Sequence, residues 1–556
     1  MAPAARHAIR HNPCRRAAQH AHHPSRLRKF ALRAYVIVCA TIIGVATAAL
    51  AVAVHNSFAT SGVEDRAAAT TAVATAEATA GTASATIVEE NAKAGTPNWN
   101  ISGDPAAWDK IRGFTDRVSA QRGETVGLLV STGSPSYRVE AYRMGYYAGV
   151  GARLVWSSDE LPGGIQPVAR RDPATGMLDA PWATSTSIAV ADDWTPGIYM
   201  LKLVSSDGGS SFVPLTIRDD SSHAALLVQS SVTTWQAYNA WGGANLYTGP
   251  KFLASTRSRV VSFDRPYDGT GSGEYFGRED LLVNQIEAMG LDVSYTTDID
   301  THAHPELLLN HKVFISGAHD EYWSKEMRDG VEAARDAGVN VIFLGANASF
   351  RRIRLEPSAL GANRHEVNYR VASEDPLDKV DPARVTTSWR DSPSPRPESS
   401  MIGNFYECNP VNADMVVGEA SSWVFSGTGL KDGDKLAKLV GNEYDRVTPE
   451  RPTPSDIEVL AHSPVVCRGA KSFSDVTYYT APSGAGVFAT GTFQMEAHMG
   501  PPCTDDKVHG VDCQVRKIMT NVLVTFSKGP AGVEHPSKNN LDHFGIHKGY
   551  VNPTPR

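Results

Sequence analysis

Polar side chains of the kinds used in hydrolytic sites follow two apolar runs near the middle of the chain. A His-Asp-Glu sequence at 319–321 comes just after the apolar run 313–316, and Asn347 comes just after the run 339–344. In an open parallel sheet the ends of both runs lie at one edge, where ligands bind. Carboxylate oxygens suit a hard cation, histidine suits proton transfer near neutral pH, and an amide suits a developing oxyanion. The pattern indicates a hydrolytic site, and a hydrogen-bonded cluster that closes the sheet edge is the alternative.

An aromatic loop, residues 233–247 with the sequence TTWQAYNAWGGANLY, is the second candidate. Its glycines and asparagines predict a loop after a strand, and loops are normally small and polar. Its aromatic and amide side chains include Trp235, Tyr238, Asn239, Trp241 and Tyr247, which are the candidates for ligand contact. The loop either contributes to a ligand site or packs its rings against the preceding domain as an inter-domain seal.

Several common hydrolase chemistries are excluded by what this region lacks. Residues 224–407 contain no cysteine, no Gly-x-Ser-x-Gly elbow and no phosphate-binding glycine loop after the first strand. Neither a thiol nor the usual serine nucleophile is therefore expected. The remaining candidate donors are oxygen and nitrogen groups, namely Tyr238, His319, Asp320, Glu321, Tyr322 and Asn347.

The elements that must position these side chains alternate between strand and helix from residue 223 to residue 528. An apolar strand is predicted at 225–229 and a helix at 278–289. A further helix begins after Ser324, its N-cap, and ends at Gly338. Alternation of this kind predicts a parallel sheet with helices on both faces.

The regions on either side of this α/β domain have different patterns. Residues 98–222 form short alternating segments separated by turn signals, which is typical of a β-sandwich. The tail 529–556 is polar and bears prolines, so no core is assigned to it. The predicted fold is therefore an N-terminal β-sandwich followed by an α/β domain.

The N-terminal segment predicts a transmembrane helix. Residues 1–33 are basic, and the uncharged run 34–54 has 21 residues, close to the roughly 20 that cross a bilayer. Positive charge before the run favours a single-pass protein of the cell membrane with its bulk outside the cytoplasm. Small residues near the end of the run leave a cleaved signal peptide open, in which case the protein is secreted. Residues 55–97, rich in alanine and threonine, predict a flexible stalk.

Charge and cysteine content narrow the partners and the compartment. The net charge is −7 and no basic stripe interleaves with aromatic residues, so nucleic acid is not an expected partner. The four cysteines of the exported part allow three pairings. We favour Cys503 with Cys513, which are close in sequence across a polar loop, together with Cys408 and Cys467. Both bonds suit an oxidising compartment.

Seven segments of the chain together resemble a known family, the large (beta) subunit of N,N-dimethylformamidase and its bacterial relatives. They lie between residues 100 and 500: YRMGYYAGVGARLV (142–155), PGIYMLKL (196–203), TTWQAYNAWGGANLY (233–247), RVVSFDRPY (259–267), SGAHDEYWS (316–324), GANAS (345–349) and WVFSGTGLKDGD (423–434). The resemblance implies a β-sandwich followed by a glutamine-amidotransferase-like (Rossmann-like) α/β domain that lacks the thiol nucleophile.

The resemblance also implies one Fe(III) per chain, held by two tyrosines and a glutamate. Glu321 matches the glutamate and Tyr238 matches one tyrosine. Tyr199 is the candidate for the second tyrosine, because its sequence separation from Tyr238 is similar to that of the two tyrosines in the family. It lies on the same face of its predicted strand as Leu201 and Leu203, however, and that pattern is typical of a core residue. Tyr267 is the fallback.

His319 and Asn347 match catalytic positions of the family, and Arg370 stands where the family has a lysine. Arginine keeps its proton, so no role that needs a deprotonated lysine carries over. The implied activity is hydrolysis of C–N bonds in a small amide substrate by an anchored, outward-facing enzyme. A homo-oligomer and a small partner subunit, which this chain does not encode, both stay open. The alternative is a non-catalytic cell-surface protein that binds carbohydrate or envelope components on Trp235, Trp241 and Tyr247.

Overall fold

A computed structural model describes residues 84–548 of the chain, apart from 102–103, 318, 500–501 and 504–509. All of these residues belong to one compact unit. The predicted basic segment 1–33, the predicted membrane span 34–54 and the first part of the predicted stalk lie outside the described residues. Within the described part, no helix is both long and apolar enough to cross a bilayer.

Residues 85–218 form two larger sheets that share one apolar core, together with a separate two-stranded pair, Arg170–Arg171 with Leu178–Asp179. The first sheet has the strand order β1-β3-β9, and the second has the order β2-β11-β10-β4-β5 with β6 beside β4. Alternate side chains of both sheets, such as Leu128 and Leu201, point into the common core, as the period of two in their sequences predicts. The elements are α1 (Ala85–Asn91), α2 (Pro105–Trp108), β1 (Ile111–Thr115), β2 (Ser119–Gln121), β3 (Thr125–Thr132), β4 (Ser136–Met144), β5 (Ala152–Ser157), β6 (Leu161–Pro162), β7 (Arg170–Arg171), β8 (Leu178–Asp179), β9 (Thr186–Ala189), β10 (Gly197–Ser205) and β11 (Ser210–Arg218).

The second half is built on a mixed seven-stranded sheet with the order β14-β12-β15-β17-β24-β23-β22. The strands are parallel as far as β24, and the last two pairings are antiparallel. Two smaller sheets, β13-β19-β18-β16 and β20-β21, complete this half. The elements are β12 (Leu226–Ser230), α3 (Val232–Tyr238), β13 (Val260–Ser262), α4 (Asp280–Ala288), β14 (Val293–Thr297), α5 (Asp298–Ala303), β15 (Val313–Ser316), β16 (Tyr322–Ser324), α6 (Lys325–Asp336), β17 (Asn340–Phe343), β18 (Arg351–Ser358), β19 (Gly361–Val367), α7 (Ser399–Ile402), β20 (Phe405–Val416), β21 (Lys435–Arg446), β22 (Glu458–Cys467), β23 (Ala470–Thr480), β24 (Gly486–Ala489), α8 (Gln494–Ala497) and α9 (Val511–Ser527).

The chain is therefore a mixed, sheet-rich α/β protein, which is the coarse form of the predicted fold. The central strands are buried on both faces, in keeping with their continuous apolar sequences. Both favoured cysteine pairings are confirmed. One bond joins Cys408 in β20 to Cys467 in β22, and the other joins Cys503 to Cys513 in α9.

The folded part extends beyond both of its predicted boundaries. In α1, at the end of the predicted stalk 55–97, Ile87 is buried and Glu90 accepts a hydrogen bond from Tyr147. In the predicted tail 529–556, Ala531 and Ile546 are buried in the two large apolar cores. Few apolar residues suffice at these ends, because each packs into a core that the rest of the chain supplies.

A buried ion pair links the two halves of the molecule. The Arg143 guanidinium in β4 donates to both carboxylate oxygens of Glu287 in α4, at 2.9 and 2.7 Å. The Tyr295 hydroxyl donates to the same carboxylate at 2.7 Å. Neither side chain of the ion pair reaches solvent, so the loss of one partner would leave the other as an uncompensated buried charge between the two halves.

Helix α6 shows how local sequence sets an element that carries the site. The Ser324 hydroxyl accepts a hydrogen bond from the Met327 amide, as the N-cap pattern predicts. Met327, Val331 and Ala334 are buried on one face, and Gly338 follows the helix with a φ of +107°.

Loss of this cap should be measurable. We expect Ser324→Ala to lower the free energy of unfolding by about 1 kcal/mol, because the Met327 amide loses its acceptor in a buried position. Ser157→Ala, at an exposed strand end, should change it by less than about 0.5 kcal/mol. Urea denaturation of the purified variants checks both values, and equal stabilities would contradict the assigned cap.

Candidate functional site

Three side chains whose oxygen atoms could bind a metal, Tyr238, Tyr247 and Glu321, lie together beyond the carboxyl ends of β12 and β15. The Tyr238 and Tyr247 hydroxyls each donate to Oε2 of Glu321 at 2.7 Å. The two hydroxyl oxygens lie 2.5 Å apart, and the two rings stack with centroids 4.4 Å apart. The two phenol hydroxyls and the carboxylate therefore form one hydrogen-bonded group. We call Tyr238, Tyr247 and Glu321 the tyrosine cluster.

Local structure explains how two tyrosines nine positions apart come together. Tyr238 ends helix α3, and the chain then loops away. The Asn245 side chain closes the loop, because its amide donates to the Tyr238 carbonyl and its oxygen accepts from the Tyr247 amide. The Leu246 amide also donates to the Ala237 carbonyl. The returning chain therefore places the Tyr247 ring directly on Tyr238.

Glu321 is held by groups on both sides of its carboxylate. Its backbone amide donates to the Thr234 hydroxyl of α3 at 2.9 Å. The Arg351 guanidinium lies 3.4 Å from Oε1, which leaves Oε2 for the two phenols. The side chain is buried, so its negative charge acts on its neighbours with little screening. Burial raises the pKa of Tyr238 and of Tyr247 well above the ordinary value, and the Glu321 charge raises both further.

His319 lies beside the tyrosine cluster with one ring nitrogen held and the other free. Nδ1 lies 3.1 Å from Oε2 of Glu274. Nε2 is buried 3.8 Å from Oε2 of Glu321 and has no hydrogen-bond partner among the described residues. Burial opposes the charged form, but the hydrogen bond and charge of Glu274 raise the pKa of His319 above its ordinary value. Tyr238 and Phe493 flank the imidazole, at 5.0 and 4.7 Å between ring centroids.

Glu443 in β21 is a further site residue, and sequence reasoning missed it. Burial, followed by the nearby charge of Glu321, raises the pKa of Glu443 to about 7, although His319 and side-chain hydrogen bonds from Asn409 and Asn347 oppose the shift. Its Oε2 is buried and lacks a partner in the part of the chain that the structure describes. No motif in the sequence marks Glu443 as a site residue. It lies within strand β21, and the residues on either side of it form no pattern that is typical of a site.

Asn347 is held in an unusual backbone conformation at the end of β17. Its φ is +64°, and its backbone amide donates to Asp445 at 2.8 Å. Its side-chain oxygen is buried and has no partner among the described residues. Asparagine adopts this left-handed conformation more readily than most residues do, which fits its place in the turn that follows β17.

The structure brings Tyr238, Glu321, His319 and Asn347 to one place, but it does not bring Tyr199 there. The Tyr199 ring stacks on Trp194 in the sandwich core, and its hydroxyl donates to the Thr195 carbonyl at 2.8 Å. Its side chain shares the inward face of β10 with Leu201, which is why it is buried there. We therefore replace Tyr199 by Tyr247 in the proposed ligand set.

Tyr267, the fallback ligand, packs its ring edge-on against Trp235. Trp235 itself is buried in the main core, and Trp241 packs against Trp182. Of the three aromatic residues proposed as stacking platforms, Trp235 is thus enclosed and Tyr247 has its hydroxyl in the tyrosine cluster. The aromatic loop therefore packs Trp235 against the core and contributes Tyr247 to the tyrosine cluster, while Trp241 stays partly exposed.

Arg370 stands next to Tyr247. Its guanidinium lies 4.0 Å from the centre of the Tyr247 ring and donates to the Tyr322 hydroxyl at 3.1 Å. The pKa of Arg370 is shifted upward despite its burial, because the neighbouring phenols and Glu321 favour the charged form. A permanent cation therefore borders the cluster on its loop side.

Comparison with known proteins gives one match that covers most of these residues. A family model described as "N,N-dimethylformamidase beta subunit-like, C-terminal" matches residues 138–506, which include the tyrosine cluster, His319, Asn347 and Glu443. No curated protein matches the chain. A solved structure of a cycloisomaltooligosaccharide glucanotransferase from Paenibacillus sp., complexed with cycloisomaltoheptaose, is 9% identical with a TM-score of 0.14. That alignment covers 47% of this chain and 34% of the other, and a similarity this low supports no conclusion.

Proposed function

The chain belongs to the N,N-dimethylformamidase beta subunit-like family, and from this membership we propose that it hydrolyses C–N bonds of small amides. The proposed cofactor is one Fe(III) per chain, with Tyr238, Tyr247 and Glu321 as its protein ligands. We retain the expectation that the second half of the chain is glutamine-amidotransferase-like.

The single observation that carries the proposal is the convergence of two phenols on one carboxylate oxygen. Phenolates and carboxylates are hard anionic donors, which suit a hard trivalent cation. With raised pKa values, both phenols keep their protons unless a cation replaces them. The oxygens of Tyr238, Tyr247 and Glu321 already lie close together, and a metal ion can replace the protons on the two phenols. This arrangement fits the Fe(III) that the family implies.

A bound Fe(III) supplies a Lewis acid, which polarises an amide carbonyl and acidifies water. The protein's own residues supply the proton transfers. Glu443, with a pKa of about 7, suits a general base that takes a proton from the attacking water. His319 places an unpartnered Nε2 beside the tyrosine cluster, so its protonated ring can donate the Nε2 proton to the leaving nitrogen. Water and amide thus give a carboxylic acid and an amine, and the pair returns to its starting state when His319 regains the proton from Glu443.

Neighbouring groups hold these two residues in place. Glu274 keeps the His319 ring oriented through Nδ1, so Nε2 faces the tyrosine cluster. Asn409 donates to Glu443 at 2.6 Å, and the Asn347 side chain lies near the same carboxylate. The orphaned side-chain oxygen of Asn347 can accept the N–H of a substrate or of water. Glu321, His319, Asn347 and Glu443 are buried, whereas Tyr238 and Tyr247 are partly exposed, so the proposed substrate would approach from the side of the two tyrosines.

We further propose that the enzyme works outside the cytoplasm. The apolar run 34–54 would hold it in the cell membrane as a single-pass protein, or release it if cleaved. The two disulfides support an oxidising compartment. A homo-oligomer or a small partner subunit stays open as part of this proposal.

Metal analysis of the purified full chain tests the proposal. We expect about one iron per chain and a visible phenolate-to-iron charge-transfer band, both lost in Tyr238→Phe, because one of the phenolate ligands is gone. Amine release from simple formamides should be lost in Glu321→Gln as well. A colourless chain that stays free of iron after growth with added iron, yet folds normally, would sink the proposal.

A further inference from the structure

A second group of metal-binding side chains lies outside the tyrosine cluster. Asp179 in β8, Asp264 just after β13 and His365 in β19 each offer a ligand atom, and these atoms lie within 4.8 Å of one another. Asp179 belongs to the first half of the chain, whereas Asp264 and His365 lie beside and within the four-stranded sheet β13-β19-β18-β16 of the second half. They take no part in the proposed hydrolysis, so this site is independent of the proposed function.

Neighbouring groups hold the Asp179 and Asp264 side chains in place, and strand pairing positions His365 beside them. The Ser262 hydroxyl donates to Asp179 at 2.8 Å and accepts from the Asp264 amide at 3.0 Å. Ser262 is also the register partner of His365 across the β13–β19 pair. The buried Arg364 guanidinium donates to Asp264 at 2.7 Å. The ligand atoms are thus presented by paired strands, as a preorganised metal site requires.

An independent observation at His365 points to a missing partner. Its Nε2 is buried and has no hydrogen-bond partner among the described residues. Buried ring nitrogens normally find a donor or an acceptor, so this one needs an explanation. A metal ion bound by the lone pair of this nitrogen would supply it.

The local charge points the same way. Two carboxylates approach each other, and the Arg364 guanidinium is bonded to only one of them, Asp264. A divalent cation would neutralise both carboxylates.

We propose that Asp179, Asp264 and His365 bind a divalent transition-metal ion. One imidazole nitrogen and two carboxylate oxygens suit Zn²⁺ best, with water completing the coordination. Calcium is disfavoured by the nitrogen ligand, and iron(III) by the absence of a phenolate.

The position of this site gives the ion a structural role. Residues 170–179 form a hairpin whose Thr175 and Gly176 carbonyls accept from Arg259 and Ser258. The Ser258 amide in turn donates to the carbonyl of Asn245, the residue that closes the Tyr247 loop. An ion that joins Asp179 to β13 and β19 would therefore hold the hairpin against the segment that anchors this loop.

Titration of the metal-stripped full chain with zinc chloride tests the site. The parent for the test is Glu321→Gln, which disables the tyrosine cluster and removes its contribution to metal binding. We expect this parent to bind one zinc ion with a raised Tm, and His365→Gln in the same background to bind at least about 10-fold more weakly. Addition of zinc should no longer raise the Tm of the variant that carries His365→Gln.

Asp179→Asn in the same background is the second variant, since it changes a half-buried hairpin residue and should fold even if His365→Gln does not. It should lose zinc binding to a similar extent. The proposal is overturned if the parent binds no zinc in the titration, or if zinc affinity and the Tm rise are unchanged in a folded variant. Because the iron site is absent from every sample, failure here leaves the proposed hydrolase untouched.

Discussion

Substituting phenylalanine for Tyr247 is expected to weaken iron binding by more than about 100-fold and to abolish the charge-transfer colour. The hydroxyl of Tyr247 donates to the carboxylate oxygen of Glu321 that Tyr238 also contacts. Its removal leaves one phenol and one carboxylate, too few anionic donors to hold Fe(III) against water. Iron content and the visible spectrum of the purified variant measure the loss.

Tyr199→Phe is the matched control. It removes a buried tyrosine hydroxyl as well, but that hydroxyl donates to the Thr195 carbonyl in the sandwich core. We expect a loss of about 1 kcal/mol in unfolding free energy and no change in iron or colour. If Tyr199→Phe loses iron while Tyr247→Phe keeps it, the ligand set built on the tyrosine cluster is wrong.

Glu443→Gln is expected to lower kcat by about 10²- to 10⁴-fold while the iron content stays near that of the wild type. Glutamine keeps the shape and the hydrogen bond with Asn409 but cannot accept a proton. Glu458→Gln is the matched control, because burial also raises the pKa of Glu458, yet this residue lies on β22 beside Lys538. Its kcat should be unchanged, and a comparable loss there would remove the argument for Glu443 as the base.

The same residue sets an expected pH dependence. A general base works only in its deprotonated form, and the pKa of Glu443 is raised to about 7. The wild-type rate should therefore fall as the pH drops through about 7, and it should fall again at higher pH, where His319 loses the proton that it donates. In Glu443→Gln the residual rate should lack this acidic limb. A limb that persists unchanged in the variant would assign the titration to another group.

Much of the scaffold could be predicted from local patterns. Helix α6 begins at the predicted cap, because the Ser324 hydroxyl accepts a hydrogen bond from an amide of the first turn. Both partners lie within three residues of each other, so the sequence alone is enough to predict the contact. The disulfide between Cys503 and Cys513 likewise follows from short sequence separation. The end of the stalk and the tail were harder to predict, since Ile87 and Ile546 are single apolar residues whose partners are far away in sequence.

The sequence by itself determined that His319, Glu321 and Asn347 would lie at one sheet edge, because the carboxyl ends of neighbouring parallel strands must meet there. Only the tertiary structure decided which second tyrosine joins Tyr238 and that Glu443 belongs to the site. The first depends on Asn245 turning a loop back on a helix end, and the second on how β21 packs across the end of the sheet. Both are contacts between segments that no local sequence pattern relates to each other. Their geometry is set only when the core packs these segments together.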